Sequence, residues 1–184
     1  VAGARRWAWE ATGDPWADGA LVAGPYATAT RVNPPLRTPA DAAACLAALL
    51  DGTADAIATD HAPHTEVDKA VEYGQAANGI SGIETALGLA LAAVDAGRLP
   101  LARAIAALTV GPAAALGSNA PRSGGFEVGA PADLVVFDRS ERWTVTSHSL
   151  LSKGKNSPLL GMELTGRVLF TLAAGTLAYE APEG

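Results

Sequence analysis

The alternation of apolar and polar residues predicts helices in the middle of the chain and strands toward its end. In "TPADAAACLAALLDG" the leucines recur at helical spacing and form one apolar face. Thr38 is placed to cap this helix, with Pro39 at its first position and Asp41 near its positive end. Gly52 follows the last apolar residue, as is typical of a helix end. The segment therefore predicts a capped helix.

Further helices are predicted after a short apolar run. "ADAIAT" reads as a short strand, with Asp60 at its C-terminal end. "SGIETALGLALAAVDAG" predicts a helix in which Ser81 and Glu84 form a capping box and Gly97 is the stop. "LPLARAIAALTVGPAAALG" predicts one or two more short helices. A helix, a strand and a polar loop in succession are typical of a parallel α/β sheet or barrel.

The pattern changes at the turn-rich stretch "NAPRSGG". Beyond it, "ADLVVFD", "RWTV", "GRVLFTLAAG" and "TLAYE" are short β-type runs. We predict three parts: an atypical N-terminal segment over residues 1–22, an α/β part over 23–117 and a β part over 118–184. The first part holds three of the four tryptophans but has no clear periodicity.

Composition narrows the classes of function. Hydrophobic residues make up 49% of the chain, which favours a packed core over disorder. A net charge of −6 argues against a nucleic-acid partner, because phosphate binding needs a basic face. No apolar run reaches the length of about 20 residues that a membrane span needs. A single cysteine fits a reducing compartment, so we expect a cytoplasmic protein. The first residue is Val rather than Met, which suggests an incomplete gene product.

The candidate chemistry lies in "IATDHAPH", where Asp60, His61 and His64 stand together. Loops at the C-terminal ends of parallel strands converge on one mouth, where catalytic groups gather. Asp60 offers one oxygen to a divalent metal and a second oxygen to a proton. The structural alternative is a turn-forming Asp with two solvated histidines. Three protein ligands are the usual minimum for catalytic zinc, and this stretch alone does not supply them.

Several stretches together resemble a known family. "VNPPLR", "DGTADAIATDHAPH" and "NGISGIETALGLAL", followed by "VGAPADLVVFD" and "SKGKNSPLLGMELTGRVLFTLAAG", are similar to the C-terminal half of bacterial dihydroorotases. These are the metal-dependent cyclic amidohydrolases of pyrimidine synthesis, and the resemblance runs from about Tyr26 to Tyr179. It implies an α/β fold: the C-terminal part of a (β/α)8 TIM-type barrel, followed by a small β segment of a flanking β-sandwich. The implied reaction is the reversible hydrolysis of dihydroorotate to N-carbamoyl-aspartate.

The resemblance also implies roles for individual residues. Asp60 would be the metal-binding carboxylate that takes a proton from the nucleophile and passes it to the leaving nitrogen. Asn33 and His64 would hold the polar groups of the substrate, and Asn78 with Gly79 would contact it through the backbone. Structural alternatives remain open: Asn33 as a partner of the extended backbone, His64 as a loop histidine and Gly79 as a turn glycine. We expect His61 to be structural rather than a ligand.

The chain departs from the family pattern in its histidines. It has no H-x-H pair, and its remaining histidine, His148, lies in the β part. Asn78 replaces the family's aromatic residue, and Gly111 stands where relatives commonly have Asn. We therefore expect a portion of a dihydroorotase, either a fragment or the product of a disrupted reading frame. By itself it would bind Zn²⁺ weakly or not at all and would be inactive.

Alternative functions remain open. The chain could be another cyclic amidohydrolase, such as an allantoinase or hydantoinase. It could also be a non-catalytic dihydroorotase-like subunit that supports an aspartate transcarbamoylase. The expected partners are a small-molecule substrate, with a possible homo-oligomer or transcarbamoylase association.

Overall fold

The computed structural model describes residues 26–120 and 126–182. The predicted atypical segment 1–22 lies outside these residues. Within them, five α-helices precede a three-stranded antiparallel sheet. The helices are α1 (Pro39–Asp51), α2 (Glu66–Lys69), α3 (Ala86–Asp95), α4 (Leu101–Leu108) and α5 (Val110–Leu116). The strands are β1 (Leu134–Thr144), β2 (Glu163–Ala173) and β3 (Thr176–Glu180), and short 3₁₀ turns cover Thr28–Thr30, Ile83–Thr85 and Gly117–Asn119. No helix in the described ranges has the length and apolarity that crossing a membrane requires.

Helix α1 has the predicted ends. The Thr38 side chain accepts a hydrogen bond from the backbone N–H of Asp41, and the Asp41 carboxylate accepts one from the Thr38 backbone N–H. These two bonds satisfy donors that the first turn of a helix leaves unpaired. Gly52 ends the helix in the left-handed region, at φ 85°. The local sequence signals at both ends of α1 are thus confirmed.

The predicted strand "ADAIAT" is wrong for the described chain, because residues 54–59 join no sheet. The backbone N–H of Ile57 donates to Ala107 O at 2.8 Å, and one isolated parallel bridge joins His61 to Ile80. A parallel strand needs neighbouring strands to take its hydrogen bonds. Among the described residues, the bridge between His61 and Ile80 is the only strand-type pairing next to this segment. Residues 54–59 therefore remain irregular although their sequence is strand-like.

The predicted capping box of α3 is also wrong. The Ser81 hydroxyl is buried and has no hydrogen-bond partner among the described residues. The Glu84 carboxylate instead accepts hydrogen bonds from the backbone N–H groups of Leu151 at 2.6 Å and Ser152 at 2.9 Å. A distant loop therefore uses the carboxylate that local sequence rules assign to the helix end. The 3₁₀ turn Ile83–Thr85 leads into α3 in place of the cap.

Two apolar clusters hold the described residues together. The first consists of Ala90, Ala93, Leu99 and Ala104, with Leu46, Leu49, Ile57, Val94 and Leu108 at its edge. The second consists of Val145, Leu150, Leu159 and Leu164, with Leu89, Trp143 and Met162 at its edge. Helix α3 contributes to both clusters, since Ala90 and Ala93 belong to one and Leu89 to the other. It therefore joins the helices to the β part.

Strand β2 packs closely against α3 because two glycines leave room. A Cβ atom added at Gly88 would lie 3.1 Å from the Leu164 Cβ. A Cβ added at Gly166 would overlap the Cδ1 of Leu91, which is 0% exposed. Gly166 also has φ 86°, which side-chain-bearing residues rarely adopt. Both glycines thus set the distance between the sheet and the helix.

The sheet has the order β1–β2–β3, and all its pairs are antiparallel. The runs "ADLVVFD" and "RWTV" belong to one long strand, β1, whose register shifts between Asp138 and Arg142. There the Asp138 carboxylate accepts hydrogen bonds from the backbone N–H groups of Ser140 at 2.7 Å and Glu141 at 3.2 Å. These bonds stabilise the irregular stretch between the two predicted runs.

Candidate functional site

The motif loop, residues 60–64, lies against the facing segment, residues 78–81. The bridge between His61 and Ile80 and the hydrogen bond from Ala62 N to Ile80 O, at 2.9 Å, join the two. Asp60 enters the loop at φ 45°, in the left-handed region. Asp tolerates this region better than most residues, although it costs about 1–2 kcal/mol. The backbone conformation at Asp60 is therefore imposed by its surroundings.

The Asp60 side chain is exposed. Within the described ranges, no group forms a hydrogen bond or an ion pair with its carboxylate. A carboxylate of this kind has both oxygens available for a ligand or a proton. The strained backbone fixes where that carboxylate emerges from the loop. Strained residues of this type cluster at functional sites.

His64, Asn78 and Gly79 come together in the structure. The Nε2 atom of His64 lies 2.9 Å from the backbone oxygen of Asn78, so in a neutral ring Nε2–H donates and Nδ1 is left as the acceptor. Gly79 has φ 145°, and a Cβ added there would lie 3.0 Å from His64 Nε2 and 2.5 Å from the Ala62 Cβ. Only glycine fits beside the imidazole. His64 thus makes a hydrogen bond to the backbone, as expected if it is a loop histidine.

Asn33 lies on a segment that is attached to the same place. The backbone N–H of Gly79 donates to Arg31 O at 2.9 Å, two residues before Asn33. The Arg31 guanidinium donates to the backbone oxygen of Ala76. The Asn33 side chain itself is exposed, and the Asn33–Pro34 peptide bond is cis. The segment carrying Asn33 therefore runs beside Gly79 with its amide in solvent.

Lys69, a residue that the sequence analysis missed, fastens this attachment. Its side chain is buried, and Nζ donates to the backbone oxygens of Thr28 at 3.0 Å, Arg31 at 3.3 Å and Ala77 at 2.7 Å. Burial lowers the pKa of Lys69 below its ordinary value, and the nearby Arg31 charge lowers it further. The ammonium group thus links the segment before Asn33 to the one before Asn78.

His61 has a structural role in this geometry, as expected. Its Nδ1 accepts hydrogen bonds from the backbone N–H groups of Gly82 at 3.2 Å and Ile83 at 3.3 Å. The proton of the neutral ring therefore lies on Nε2, which is 3.5 Å from the Ser152 hydroxyl. His61 holds the start of the 3₁₀ turn Ile83–Thr85 against the motif loop.

Asn156 is the second residue that the sequence analysis missed. Its Oδ1 accepts a hydrogen bond from the backbone N–H of His64 at 2.7 Å, and its Nδ2 donates to the backbone oxygens of Ala62 and Gly79, both at 3.0 Å. Its backbone oxygen accepts a bond from Ser81 N at 3.0 Å. The sequence carries no local signal for these contacts, because Asn156 is 92 residues from His64.

The described residues do not fit a metal centre by themselves. In residues 26–120 and 126–182, no three His, Cys, Asp or Glu side chains converge as metal ligands. Asp60 offers one carboxylate, His64 is held by the backbone of Asn78, and His148 is exposed in the β part. Three protein ligands are the usual minimum for a catalytic zinc site.

Comparison with known proteins gives consistent matches over most of the chain. The model of the amidohydrolase family matches residues 26–178. The dihydroorotase of Anaeromyxobacter sp. (strain K) is 47% identical over 163 residues, 89% of this chain and 37% of that protein. The dihydroorotase of Citrifermentans bemidjiense is 45% identical over 156 residues, 85% of this chain and 36% of that protein. The chain thus spans little more than a third of the length of these relatives.

Among solved structures, an L-hydantoinase (dihydropyrimidinase) from Arthrobacter aurescens superimposes with a TM-score of 0.76 and 31% identity, covering 86% of this chain and 36% of that one. A D-hydantoinase (dihydropyrimidinase) from Thermus sp. gives a TM-score of 0.75 and 27% identity, covering 90% and 38%. These matches imply that the described residues are a partial α/β unit of the TIM-barrel amidohydrolase fold. Family members are generally metal-dependent. The chain belongs to the amidohydrolase family.

Proposed function

We propose that the chain is the C-terminal portion of a dihydroorotase, which hydrolyses dihydroorotate reversibly to N-carbamoyl-aspartate. The observation that carries this proposal is the 47% identity to a dihydroorotase over 163 residues, which include the motif loop and the facing segment. Hydantoinases of known structure share the fold at 21–31% identity. Hydantoinase activity is therefore the second candidate, and the test below separates the two.

The proposed reaction gives each site residue one task. The oxygen of the nucleophile bonds to the ring carbonyl carbon, the C–N bond breaks, and the ring nitrogen gains a proton. Asp60 takes the proton from the nucleophile and delivers it to that nitrogen, as general acid–base catalysis requires. The Asp60 carboxylate is exposed and forms no hydrogen bond or ion pair with any described residue, which supports this role.

The substrate carries a carboxylate and polar ring groups that need donors and acceptors. We assign this recognition to Asn33 and His64, with the backbone of Asn78 and Gly79 contacting the ring. The hydrogen bond between His64 Nε2 and the backbone oxygen of Asn78, at 2.9 Å, supports this assignment, because it holds the imidazole beside the exposed Asn78. The exposed amide of Asn33 is accessible to the same substrate.

For the complete protein we propose Zn²⁺ as the metal, with Asp60 as the ligand that this chain contributes. The described residues lack the remaining ligands, so we propose that polypeptide outside this chain supplies them. The isolated chain should accordingly bind Zn²⁺ weakly or not at all and should not turn over dihydroorotate. A homo-oligomer, or association with an aspartate transcarbamoylase, is the proposed assembly.

A chimera tests the proposal. The matched 163 residues of the Anaeromyxobacter sp. (strain K) dihydroorotase are replaced by those of this chain, and turnover of dihydroorotate and hydantoin is measured. We expect the chimera to prefer dihydroorotate. Asp60→Asn should lower kcat by about 10²–10⁴-fold, whereas Asp55→Asn, at a nearby exposed position, should leave it unchanged. Preference for hydantoin would refute the substrate, and full activity of Asp60→Asn would refute the proton carrier.

A further inference from the structure

We propose that Asn156 is a positioning residue, which holds the motif loop on the facing segment and so fixes His64 relative to the Gly79 backbone. Its effect on catalysis rests on the proposed function, but its effect on the geometry of the loop does not. Asn156 belongs to the β part, whereas both segments that it joins belong to the α/β part. The β part would thereby contribute directly to the site.

The side chain of Asn156 is matched completely to its three partners. An amide offers one oxygen acceptor and two N–H donors. The oxygen accepts from His64 N, and the nitrogen donates to Ala62 O on the motif loop and to Gly79 O on the facing segment. A carboxylate at this position would set an oxygen against two carbonyl oxygens. An apolar side chain would leave an N–H and two C=O groups without their partner.

The backbone around Asn156 is fitted to the same place. A Cβ added at Gly154 would lie 2.6 Å from His64 N and 2.7 Å from both His64 O and the Pro63 Cβ. The chain at Gly154 therefore runs directly along the motif loop. At the start of this stretch, Glu84 holds the N–H groups of Leu151 and Ser152. Residues 151–156 are thus held at one end by Glu84 and at the other by the bond from Ser81 N to Asn156 O, and this fixes the position of the Asn156 amide.

The contacts of Asn156 stand apart from the two apolar clusters. None of the clustered residues is Ala62, His64, Gly79 or Asn156 itself. Loss of the amide should therefore loosen the site while both clusters stay packed. This separates a positioning role from a general contribution to stability.

Amide hydrogen exchange on the 184-residue chain tests the geometry. Asn156→Ala should speed exchange of the His64 amide about tenfold or more, whereas the Ile57 amide, bonded to Ala107 O, should change less than about twofold. Asn119→Ala, at an exposed asparagine, is the matched control and should change neither amide. Unchanged exchange at His64 would overturn the proposal. Equal acceleration at both amides would overturn it too, because Asn156 would then be a general stabilising residue.

A second variant keeps the test decisive. Asn156→Asp retains an acceptor for the His64 N–H but turns an oxygen toward Ala62 O and Gly79 O. We expect the His64 amide to stay protected while the Ala62 amide, which donates to Ile80 O, exchanges faster. Loss of protection at His64 alone would contradict the assigned pairing.

The chimera described above measures the catalytic consequence. Asn156→Ala should raise KM for dihydroorotate about tenfold and change kcat less, because His64 is assigned to binding and Asp60 to the proton. An unchanged KM would overturn the catalytic part of the proposal. If the unsubstituted chimera has no activity on dihydroorotate, the proposed function fails, and the exchange experiment still decides whether Asn156 positions the loop.

Discussion

The contact between Gly166 and α3 offers a matched test of the packing, because a second glycine has the same backbone angle. Gly166 has φ 86° and Gly161 has φ 87°. A Cβ at Gly166 would overlap the Cδ1 of Leu91 and lie 3.5 Å from its Cγ, whereas a Cβ at Gly161 would meet nothing within 4 Å. Alanine at either position bears the same backbone cost. The difference between the two variants therefore isolates the packing of β2 against α3.

The expected magnitudes follow from these two terms. The left-handed backbone costs alanine about 1–2 kcal/mol at either position. Overpacking adds about 1–3 kcal/mol at Gly166, since the added Cβ would displace the side chain of Leu91, which is 0% exposed. Gly166→Ala should thus reduce the free energy of unfolding by about 2–5 kcal/mol. Gly161→Ala should reduce it by the backbone term alone.

Urea unfolding followed by circular dichroism measures both variants. With a slope of about 2 kcal/mol per M, the difference of about 1–3 kcal/mol separates the two midpoints by about 0.5–1.5 M. Shortening the obstructing side chain gives a second check. Leu91→Ala alone should cost about 2–5 kcal/mol, and combined with Gly166→Ala it should cost less than the sum. Equal midpoints for the two glycine variants, or strict additivity in the double variant, would refute the packing argument.

Further predictions concern the site and helix α2, which follows the motif loop. Gly79→Ala should destabilise the chain by about 2–5 kcal/mol in urea unfolding, because the added Cβ meets His64 Nε2 and the backbone has φ 145°. Lys69→Met should cost about 1–3 kcal/mol, since three carbonyl oxygens lose their donor. The pKa of Lys69 is lowered in the folded chain. Between that lowered pKa and 10.5, the ordinary pKa of lysine, the unfolded chain therefore binds more protons than the folded chain. The unfolding free energy of the wild type should therefore rise with pH up to that value, and that of Lys69→Met should not. The hydrogen bond from the Thr65 hydroxyl lowers the pKa of Asp68, so in Thr65→Val the titration midpoint of the Asp68 carboxyl, measured by ¹³C NMR, should rise toward 3.8. In the wild type this bond stabilises the folded chain above pH 3.8, and the stabilisation is lost as the pH falls through the lowered pKa of Asp68.

Local signals in the sequence predicted α1 well, and the reason is physical. Thr38, Pro39 and Gly52 act within one or two turns of the helix, so each works wherever the helix is placed. The β runs after residue 130 were recognised for a similar reason, because the antiparallel partners β2 and β3 are close in the chain. Two of these runs proved to be one strand, since an irregular stretch hides the continuity of β1.

Where the structure differs from the sequence analysis, the local conformation depends on groups that are far away in the chain. Residues 54–59 have a strand-like composition but no sheet among the described residues to join. Glu84 has the spacing of a capping residue but binds amides 67 and 68 residues away. The grouping of His64 with Asn78 and Gly79 followed from the family resemblance. Asn156 lies in the family-like stretch "SKGKNSPLLGMELTGRVLFTLAAG", but spacing rules assign its amide no partner.

The bond between His64 and Asn156 also determines when the motif loop can take its final position during synthesis. It spans 92 residues of chain, so the ribosome needs about 5–20 s to add Asn156 after His64 has been made. Contacts of such large sequence separation form late, because a long loop must close first. The nascent chain therefore carries a motif loop that lacks its bonds to Asn156 until Asn156 itself emerges. A stop codon placed shortly before Asn156 would leave the "DHAPH" loop in the product without the amide that bonds His64 N and Ala62 O.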